Sequence, residues 1–196
     1  GKVEVVLNPT PFYGEAGGQI GDRGVIVTDS GAKIQITACQ KPVDKFTVCI
    51  GEVVEGAVNT GDQVWAGYKP EVRKEIRAHH SATHLLHASL SKVLGDHVKQ
   101  AGSLVQEQRL RFDYSHFESL TDEKIRAIEV DSNQRVLAAS EIQTEVLPFD
   151  EAKEKGAIAL FGEKYGDQVR VLSMGNENDK YFSTELCGGT HVKNTS

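Results

Sequence analysis

The sequence predicts an α+β protein in two parts, a small β-barrel-like domain over residues 1–70 and a mixed region of helices and strands over residues 71–196. Short runs of alternating or β-branched residues fill the first part, and glycines separate them. A long amphipathic helix begins at Pro70. The change of composition at this proline is where we place the boundary between the two domains.

Five or six short strands are predicted before residue 70. Val3, Val5 and Leu7 alternate with polar neighbours, as the residues of a half-buried strand do. Further β-branched runs follow at residues 25–27, 34–38, 46–50 and 53–54. Strands this short and this closely spaced are typical of a small barrel.

A glycine-rich loop at residues 10–22 interrupts these strands. Its four glycines, at positions 14, 17, 18 and 21, allow backbone N–H groups to approach a ligand closely. Composition alone favours a flexible hairpin. The alternative is a recognition loop, since Thr10, Glu15, Gln19 and Asp22 carry polar groups that suit a hydroxyl or an amine.

The second part begins with a helix predicted from Pro70 to Leu94, which Gly95 ends. On a helical wheel, His80, His84 and His87 lie together at the edge of its apolar stripe. The later elements are a hairpin at residues 104–114, a helix capped by Thr121, a strand at 142–147, a short helix at 150–155, and strands at 169–173 and 181–186. Ile125, Ile128, Val136 and Ala139 are predicted to form the buried face of the capped helix.

Composition narrows the function. The net charge of -6 argues against a general nucleic-acid coat, so any contact with RNA is expected to be local. An odd number of cysteines, three, predicts a reducing compartment, the cytoplasm or an organelle. No apolar run approaches the length of a membrane span. The chain stops soon after its last motif, so we expect a fragment of a longer protein.

Two distant motifs each place two metal-ligating residues four positions apart. His80 and His84 would lie one turn apart on one helix face, and Cys187 and His191 flank a pair of glycines. Three imidazoles and one thiolate form a ligand set that suits Zn²⁺. A single pair would be a weak signal, but the second pair makes a metal site the favoured interpretation over packed or surface histidines.

Two familiar zinc sites do not fit. A metalloprotease helix needs a glutamate directly after its first histidine, and Ser81 stands there instead. Zinc ribbons need a pair of cysteines separated by two other residues, which the sequence lacks. What remains is a zinc between a helix and a cysteine-containing loop, able to polarise an ester carbonyl, orient a small polar substrate or activate water.

Four motifs, in order along nearly the whole chain, resemble the editing domain of alanyl-tRNA synthetases. The same module is similar to free-standing trans-editing proteins and to the editing domain of threonyl-tRNA synthetases. The segments that carry the resemblance are Thr10–Tyr13 with Gly17–Gln19 and Gly21–Asp22, then His80–His84, Arg111–Asp113 and Cys187–His191. The resemblance implies a barrel-like first part followed by an α+β two-layer sandwich, the second additional domain of threonyl- and alanyl-tRNA synthetases.

The resemblance also implies a function and its residues. It implies hydrolysis of tRNA(Ala) mischarged with serine or glycine, within an ATP-dependent alanine–tRNA ligase whose other parts are partners of this chain. The implied zinc ligands are His80, His84, Cys187 and His191, and Cys187 is also a candidate catalytic residue. The implied loop residues are Thr10 and Gln19, as catalytic and substrate-binding residues, with Gly17 and Gly18 beside them.

Three alternatives stay open from the sequence. The chain could be a free-standing deacylase with the same chemistry, or a non-catalytic, zinc-stapled module that binds tRNA. A release-factor-like role for Gly17–Gln19 is disfavoured, because the tripeptide is short and the chain is acidic. The role of zinc is also open, since catalytic zinc usually keeps one position free whereas four protein ligands are typical of a structural site.

Overall fold

The computed structural model describes residues 1–43, 46–159, 165–176 and 180–196. Its secondary structure is mixed and its sheets are antiparallel, which confirms the α+β class. The chain divides into two compact units, Gly1–Glu75 and Ile76–Ser196. We describe each unit by itself.

The first unit is a five-stranded antiparallel sheet in the order β1-β4-β3-β2-β5. Its strands are β1 (Lys2–Val6), β2 (Gly24–Thr28), β3 (Lys33–Val43), β4 (Phe46–Glu55) and β5 (Val64–Tyr68). Alternate residues of these strands, among them Ile26, Ile34 and Ile36, are buried in one core with Phe12. Burial of such side chains stabilises a fold by roughly 1.5–3 kcal/mol each.

The predicted barrel-like arrangement is not confirmed in the described part of this unit. The outer strands β1 and β5 pair with β4 and β2 respectively, and not with each other, so the sheet is open. Local alternation identifies strands, but it does not encode which strands pair over long sequence distances. The two predicted strands at residues 46–50 and 53–54 form a single one, β4.

Helix α1 (Pro70–Leu94) has the predicted bounds, and its residues from Ile76 onward belong to the second unit. The other elements are β6 (Gln100–Val105), β7 (Leu110–Tyr114), α2 (Asp122–Leu137), β8 (Ile142–Pro148), α3 (Phe149–Glu154), β9 (Gln168–Asn176) and β10 (Lys180–Leu186). Strands β6 and β7 form the predicted hairpin, and β8, β9 and β10 form a sheet in the order β10-β9-β8. Thr121 caps α2, its hydroxyl accepting from the Lys124 N–H.

The three-stranded sheet buries side chains on both of its faces. Leu172 and Met174 of β9 pack against Leu85 of α1. Val169 and Val171 form a separate core that includes Ala152 of α3. Because side chains alternate along a strand, these two pairs lie on opposite faces of β9. The face that meets α1 is the one that positions the site described below.

The predicted inner face of α2 is largely wrong. Ile128 is buried, but Ile125 and Val136 are exposed. The second buried residue is Asp131, whose carboxylate accepts hydrogen bonds from Ser89 and Arg135. Apolar spacing could not reveal this face, because a hydrogen-bonded carboxylate occupies a position where the pattern expects an apolar side chain.

Candidate metal centre

The structure brings both predicted ligand pairs together. His80 and His84 stand on successive turns of α1, with ring centroids 5.5 Å apart. Strand β10 ends at Leu186 and delivers Cys187, and the following loop returns His191 to the same place. The His191 ring lies 4.4 Å from that of His80 and 5.1 Å from that of His84. We call these four residues the His/Cys group.

The distances within the His/Cys group suit a small tetrahedral cation. One candidate ligand atom from each residue can be chosen so that all four lie within 4.8 Å of one another. Cys187 Sγ lies 3.5 Å from His80 Nε2 and 3.2 Å from His191 Nε2. Zinc bond lengths in a tetrahedron would separate sulfur and nitrogen by about 3.5 Å. The donor set and its spacing therefore fit a metal ion such as Zn²⁺.

His84 supplies an independent test of that fit. Its Nδ1 lies 3.2 Å from Glu185 Oε2, whereas its Nε2 is buried and has no hydrogen-bond partner among the described residues. A buried imidazole nitrogen without a partner is costly, and native structures usually satisfy such atoms. A cation held by the His/Cys group would satisfy it.

The electrostatics of the His/Cys group favour a positive charge. Burial alone would raise the pKa of the Cys187 thiol, but hydrogen bonds from His191 and His80 and the charge of His84 hold it well below its ordinary value. Burial lowers the pKa of His191 to about 4, with the positive charges of His80 and His84 adding to the effect and Cys187 opposing it. Burial also disfavours a charged His84, yet the Glu185 carboxylate and Cys187 raise its pKa to about 10. The Cys187 thiolate and the Glu185 carboxylate thus favour a positive charge at His84. A metal ion bound at His84 Nε2 would replace the proton there.

Glu185 is a functional candidate that the sequence analysis missed. Its Oε2 faces His84 Nδ1, and its Oε1 lies 3.3 Å from His87 Nδ1 and accepts from Ser183 Oγ at 2.9 Å. Burial would raise the pKa of Glu185, but the charge and hydrogen bonds of the two histidines hold it far below its ordinary value. Strand periodicity could have found this residue, since Ser183, Glu185 and Cys187 fall on one face at spacing two.

Two further contacts orient the loop from Cys187 to His191. Ser81 Oγ lies 3.2 Å from His191 Nδ1 and accepts from the Val192 N–H at 3.2 Å. Arg170 Nη1 donates to the carbonyl oxygens of Cys187 and Gly189, at 2.8 and 2.7 Å. Ser81, noted in the sequence only because it replaces a protease's glutamate, therefore holds one imidazole of the group.

The glycine-rich loop of the first unit has a defined conformation. Gly17 and Gly18 have positive φ angles of 58° and 81°, which make a tight turn closed by hydrogen bonds between the backbones of Ala16 and Gln19. The Gln19 side chain is completely buried, and Thr10 Oγ1 accepts from the Phe12 N–H at 3.3 Å. These hydrogen bonds define a specific turn within the loop.

A buried ion pair fixes the end of this loop. Arg73 Nε donates to Asp22 Oδ1 at 2.8 Å, and its Nη2 donates to Asp22 Oδ2 and to the Pro11 carbonyl. The Tyr13 N–H donates to the same carboxylate at 2.6 Å, and the guanidinium lies over the Tyr68 ring. Asp22, predicted as a recognition residue, has its carboxylate committed within the first unit.

Close backbone packing also fixes the loop against β3. A Cβ at Gly21 would lie 1.9 Å from the Cys39 carbonyl oxygen, closer than any side chain can approach. The Glu15 N–H donates to that same oxygen at 2.9 Å. Only glycine can occupy position 21 without moving the loop away from the strand.

The predicted site residues therefore fall into two sets. His80, His84, Cys187 and His191 converge within the second unit. The predicted substrate-binding residues Thr10, Gly17, Gly18 and Gln19 belong to the first unit. Their roles toward a substrate stay predictions.

Comparison with known proteins bears on both units. The family described as tRNA synthetases class II (A) matches residues 1–72, and the family described as the threonyl and alanyl tRNA synthetase second additional domain matches residues 169–196. An alanine–tRNA ligase of Saccharophagus degradans is 52% identical over 191 residues, which are 97% of this chain and 21% of the relative. The resemblance to alanyl-tRNA synthetases is confirmed.

Other alanyl-tRNA synthetases match at similar levels. The enzyme of Magnetococcus marinus is 50% identical over 96% of this chain and 21% of its own length. That of Clostridioides difficile is 48% identical over all of this chain and 22% of its own length. The chain spans about a fifth of the length of the curated synthetases it matches. Among the described residues, no helix has the length and apolar character needed to cross a membrane.

Proposed function

We propose that this chain is the editing region of an alanyl-tRNA synthetase and hydrolyses the ester of tRNA(Ala) mischarged with serine or glycine. The observation that carries the proposal is the convergence of His80, His84, Cys187 and His191 around one point, in a chain related to alanine–tRNA ligases. The proposed partners are the aminoacylated end of the tRNA and the rest of the synthetase. The proposed location is the cytoplasm.

Discrimination between amino acids explains why such a site is needed. A synthetic pocket for alanine rejects the extra hydroxyl of serine poorly, and it cannot exclude the smaller glycine by size. A second site that hydrogen-bonds the serine hydroxyl does better, because alanine leaves the polar groups of that site unpaired. Selective hydrolysis at this second site then removes the wrong amino acid.

The proposed metal ligands are the four residues of the His/Cys group. When bound there, Zn²⁺ supplies positive charge for an ester carbonyl oxygen that becomes negative during hydrolysis. Ser81 and Arg170 fix the loop that carries Cys187 and His191, so the ligand positions are set before any substrate arrives.

The proposed discriminating residues are Thr10 and Gln19. The amide of Gln19 and the hydroxyl of Thr10 can each donate to and accept from a serine hydroxyl. The turn formed by Gly17 and Gly18 sets the backbone at Gln19, and Asp22 with Arg73 anchors the loop. A loop held in one conformation loses little entropy when it binds a small substrate.

A direct assay tests the proposal. The purified chain is incubated with Ser-tRNA(Ala), Gly-tRNA(Ala) and Ala-tRNA(Ala), with and without a chelator, and release of the amino acid is followed. We expect hydrolysis of the first two substrates, little hydrolysis of the third, and loss of activity with chelator that added Zn²⁺ restores. Equal rates on serine and alanine would contradict the proposed selectivity.

Two variants assign the roles. Cys187→Ala should reduce deacylation by about 100-fold or more, because the thiolate leaves the ligand set. Gln19→His should lose hydrolysis of Ser-tRNA(Ala). Exposed residues of the second unit provide matched controls, with Cys187→Ala compared to Ser119→Ala and Gln19→His compared to Gln108→His. A fully active Cys187→Ala or Gln19→His variant would remove that residue from the mechanism.

A second candidate is a non-catalytic module in which zinc staples the fold and the chain only binds tRNA. The observation that favours it is the presence of four protein ligands, which fill a tetrahedral site. It predicts metal-dependent folding and tRNA binding without ester hydrolysis, so the same assay separates it from editing. A free-standing deacylase would show the same activity, and the extent of the native reading frame distinguishes it from a synthetase region.

A further inference from the structure

Glu185 is buried between two histidines of α1, and it is not itself one of the predicted ligands. The residue is 4% exposed, and both oxygens of its carboxylate make contacts. Oε2 contacts His84 Nδ1 at 3.2 Å, while Oε1 contacts His87 Nδ1 at 3.3 Å and accepts from Ser183 Oγ at 2.9 Å. The carboxylate thus joins the His/Cys group to a second buried histidine.

The contact with His84 determines which nitrogen faces the His/Cys group. A carboxylate accepts but does not donate, so Nδ1 of His84 must carry the proton in this contact. The neutral ring then has its lone pair on Nε2, the atom that is buried without a partner among the described residues. A hydrogen bond from the remote nitrogen to a carboxylate also makes the ligating nitrogen more basic.

The position of Glu185 in the sheet makes this contact specific. Glu185 pairs with Leu172 across β9 and β10, and Leu172 packs toward α1. Cross-strand partners lie on the same face, so Glu185 is held against α1 by the strand register. His87 Nδ1 and Ser183 hold the other oxygen, and the His87 ring packs 5.3 Å from that of Phe112.

We propose that Glu185 is a positioning residue of the metal site, which fixes His84 in the Nδ1–H tautomer so that Nε2 binds the cation, with His87 and Ser183 holding the carboxylate in place. This inference rests on the metal site proposed above. It adds a residue that touches neither the ester nor the cation, and it acts only through His84.

Metal affinity tests the proposal with a readout other than activity. Zn²⁺ binding is measured by competition with a chromophoric chelator for the wild type, Glu185→Gln, Glu185→Asp and the control Glu145→Gln, an exposed glutamate of β8. We expect about 10- to 100-fold weaker binding for Glu185→Gln and a smaller loss for Glu185→Asp, which keeps a carboxylate. Glu145→Gln should bind like the wild type.

The tautomer is measured in the wild type, so this arm does not depend on a variant that folds. Long-range proton–nitrogen NMR correlations of the zinc-loaded chain should show a proton on Nδ1 of His84 and none on Nε2. A proton on Nε2, or unchanged zinc affinity in Glu185→Gln, would overturn the inference. A wild-type chain that binds no zinc would instead refute the metal site itself. Zinc-dependent deacylation together with full affinity in Glu185→Gln would refute only the role of Glu185.

Discussion

A buried carboxylate fixes the glycine-rich loop of the first unit, another contacts the His/Cys group of the second unit, and the two are satisfied in different ways. Asp22 of the first unit is 3% exposed and bonds to Arg73 and to the Tyr13 N–H. Glu185 of the second unit is 4% exposed and bonds to His84, His87 and Ser183. The first carboxylate therefore has a permanent cation as its partner, whereas the second has imidazoles that can be neutral.

This difference between the partners of the two carboxylates indicates which unit would gain stability from a bound cation. The charge of Asp22 is matched by the guanidinium of Arg73, so the glycine-rich loop is anchored by protein groups alone. Beside Glu185 lies the Cys187 thiolate, and the neutral His191 offers no compensating charge. These two buried negative groups make the second unit a site that gains stability from a bound cation.

The largest expected effect on stability comes from breaking the buried ion pair of Asp22 and Arg73, which needs no bound cation. Asp22→Ala leaves the buried Arg73 guanidinium without its carboxylate, which should lower the free energy of unfolding by about 3–5 kcal/mol. Urea unfolding of the chain at fixed pH measures the loss. Asp29→Ala, at an exposed aspartate of the same unit, should cost less than about 0.5 kcal/mol. A loss below about 1 kcal/mol for Asp22→Ala would show that the pair does not anchor the loop.

Metal removal is expected to have the next largest effect, and only through the second unit. Free Zn²⁺ at 100 times its dissociation constant should stabilise the chain by about 2.7 kcal/mol, since the unfolded chain lacks the assembled site. Urea unfolding with zinc and with chelator measures the difference. His80→Ala should abolish it, and Asp22→Ala should retain it. Equal stability of the wild type in both conditions would contradict the comparison.

Asp131 provides a smaller, third test, because it is a buried carboxylate of the second unit with cationic partners. Burial opposes its ionisation, but hydrogen bonds from Lys92, Arg135 and Ser89 lower its pKa below its ordinary value. We expect Asp131→Asn to cost about 1–2 kcal/mol at pH 7, since part of this network is exposed to solvent.

The pH dependence of that cost follows from the direction of the shift. A carboxylate with a lowered pKa stabilises the fold above its unfolded pKa and loses this contribution as the pH falls through the folded value. The gap in unfolding free energy between wild type and Asp131→Asn should therefore narrow as the pH falls below about 4. A gap that stays constant down to pH 3 would mean that ionisation of Asp131 does not contribute. Zinc should leave the gap unchanged at pH 7.

The sequence predicted local features of this protein better than long-range ones. Pro70 and Gly95 mark the ends of α1 because their backbone preferences act within one turn. The His80–His84 pair was found because spacing four has the same meaning in any helix. The Cys187–His191 pair lies in a loop, and it was found from its residue types and matching spacing. The barrel-like arrangement is not confirmed, because the pairing of β1 with β4 depends on the whole sheet and not on local sequence.

Glu185 and Asp131 were missed for a related reason. Each is an acidic residue at a position that becomes buried only because distant side chains bond to it, such as His84 for Glu185 and Ser89 for Asp131. A pattern of apolar residues treats both as surface positions. Strand alternation backward from Cys187 would have placed Glu185 on the ligand face, but not its bond to His84.

The tight contact between Gly21 and the Cys39 carbonyl has a consequence for large-scale mutagenesis. In a library of all single substitutions, position 21 should score as poorly as the histidines of the second unit, although it carries no reactive group. Low tolerance to substitution at Gly21 reflects the small distance between the glycine-rich loop and β3. In such a library, a chemical role should therefore be inferred only at positions where the substitution shortens the side chain and so causes no steric clash.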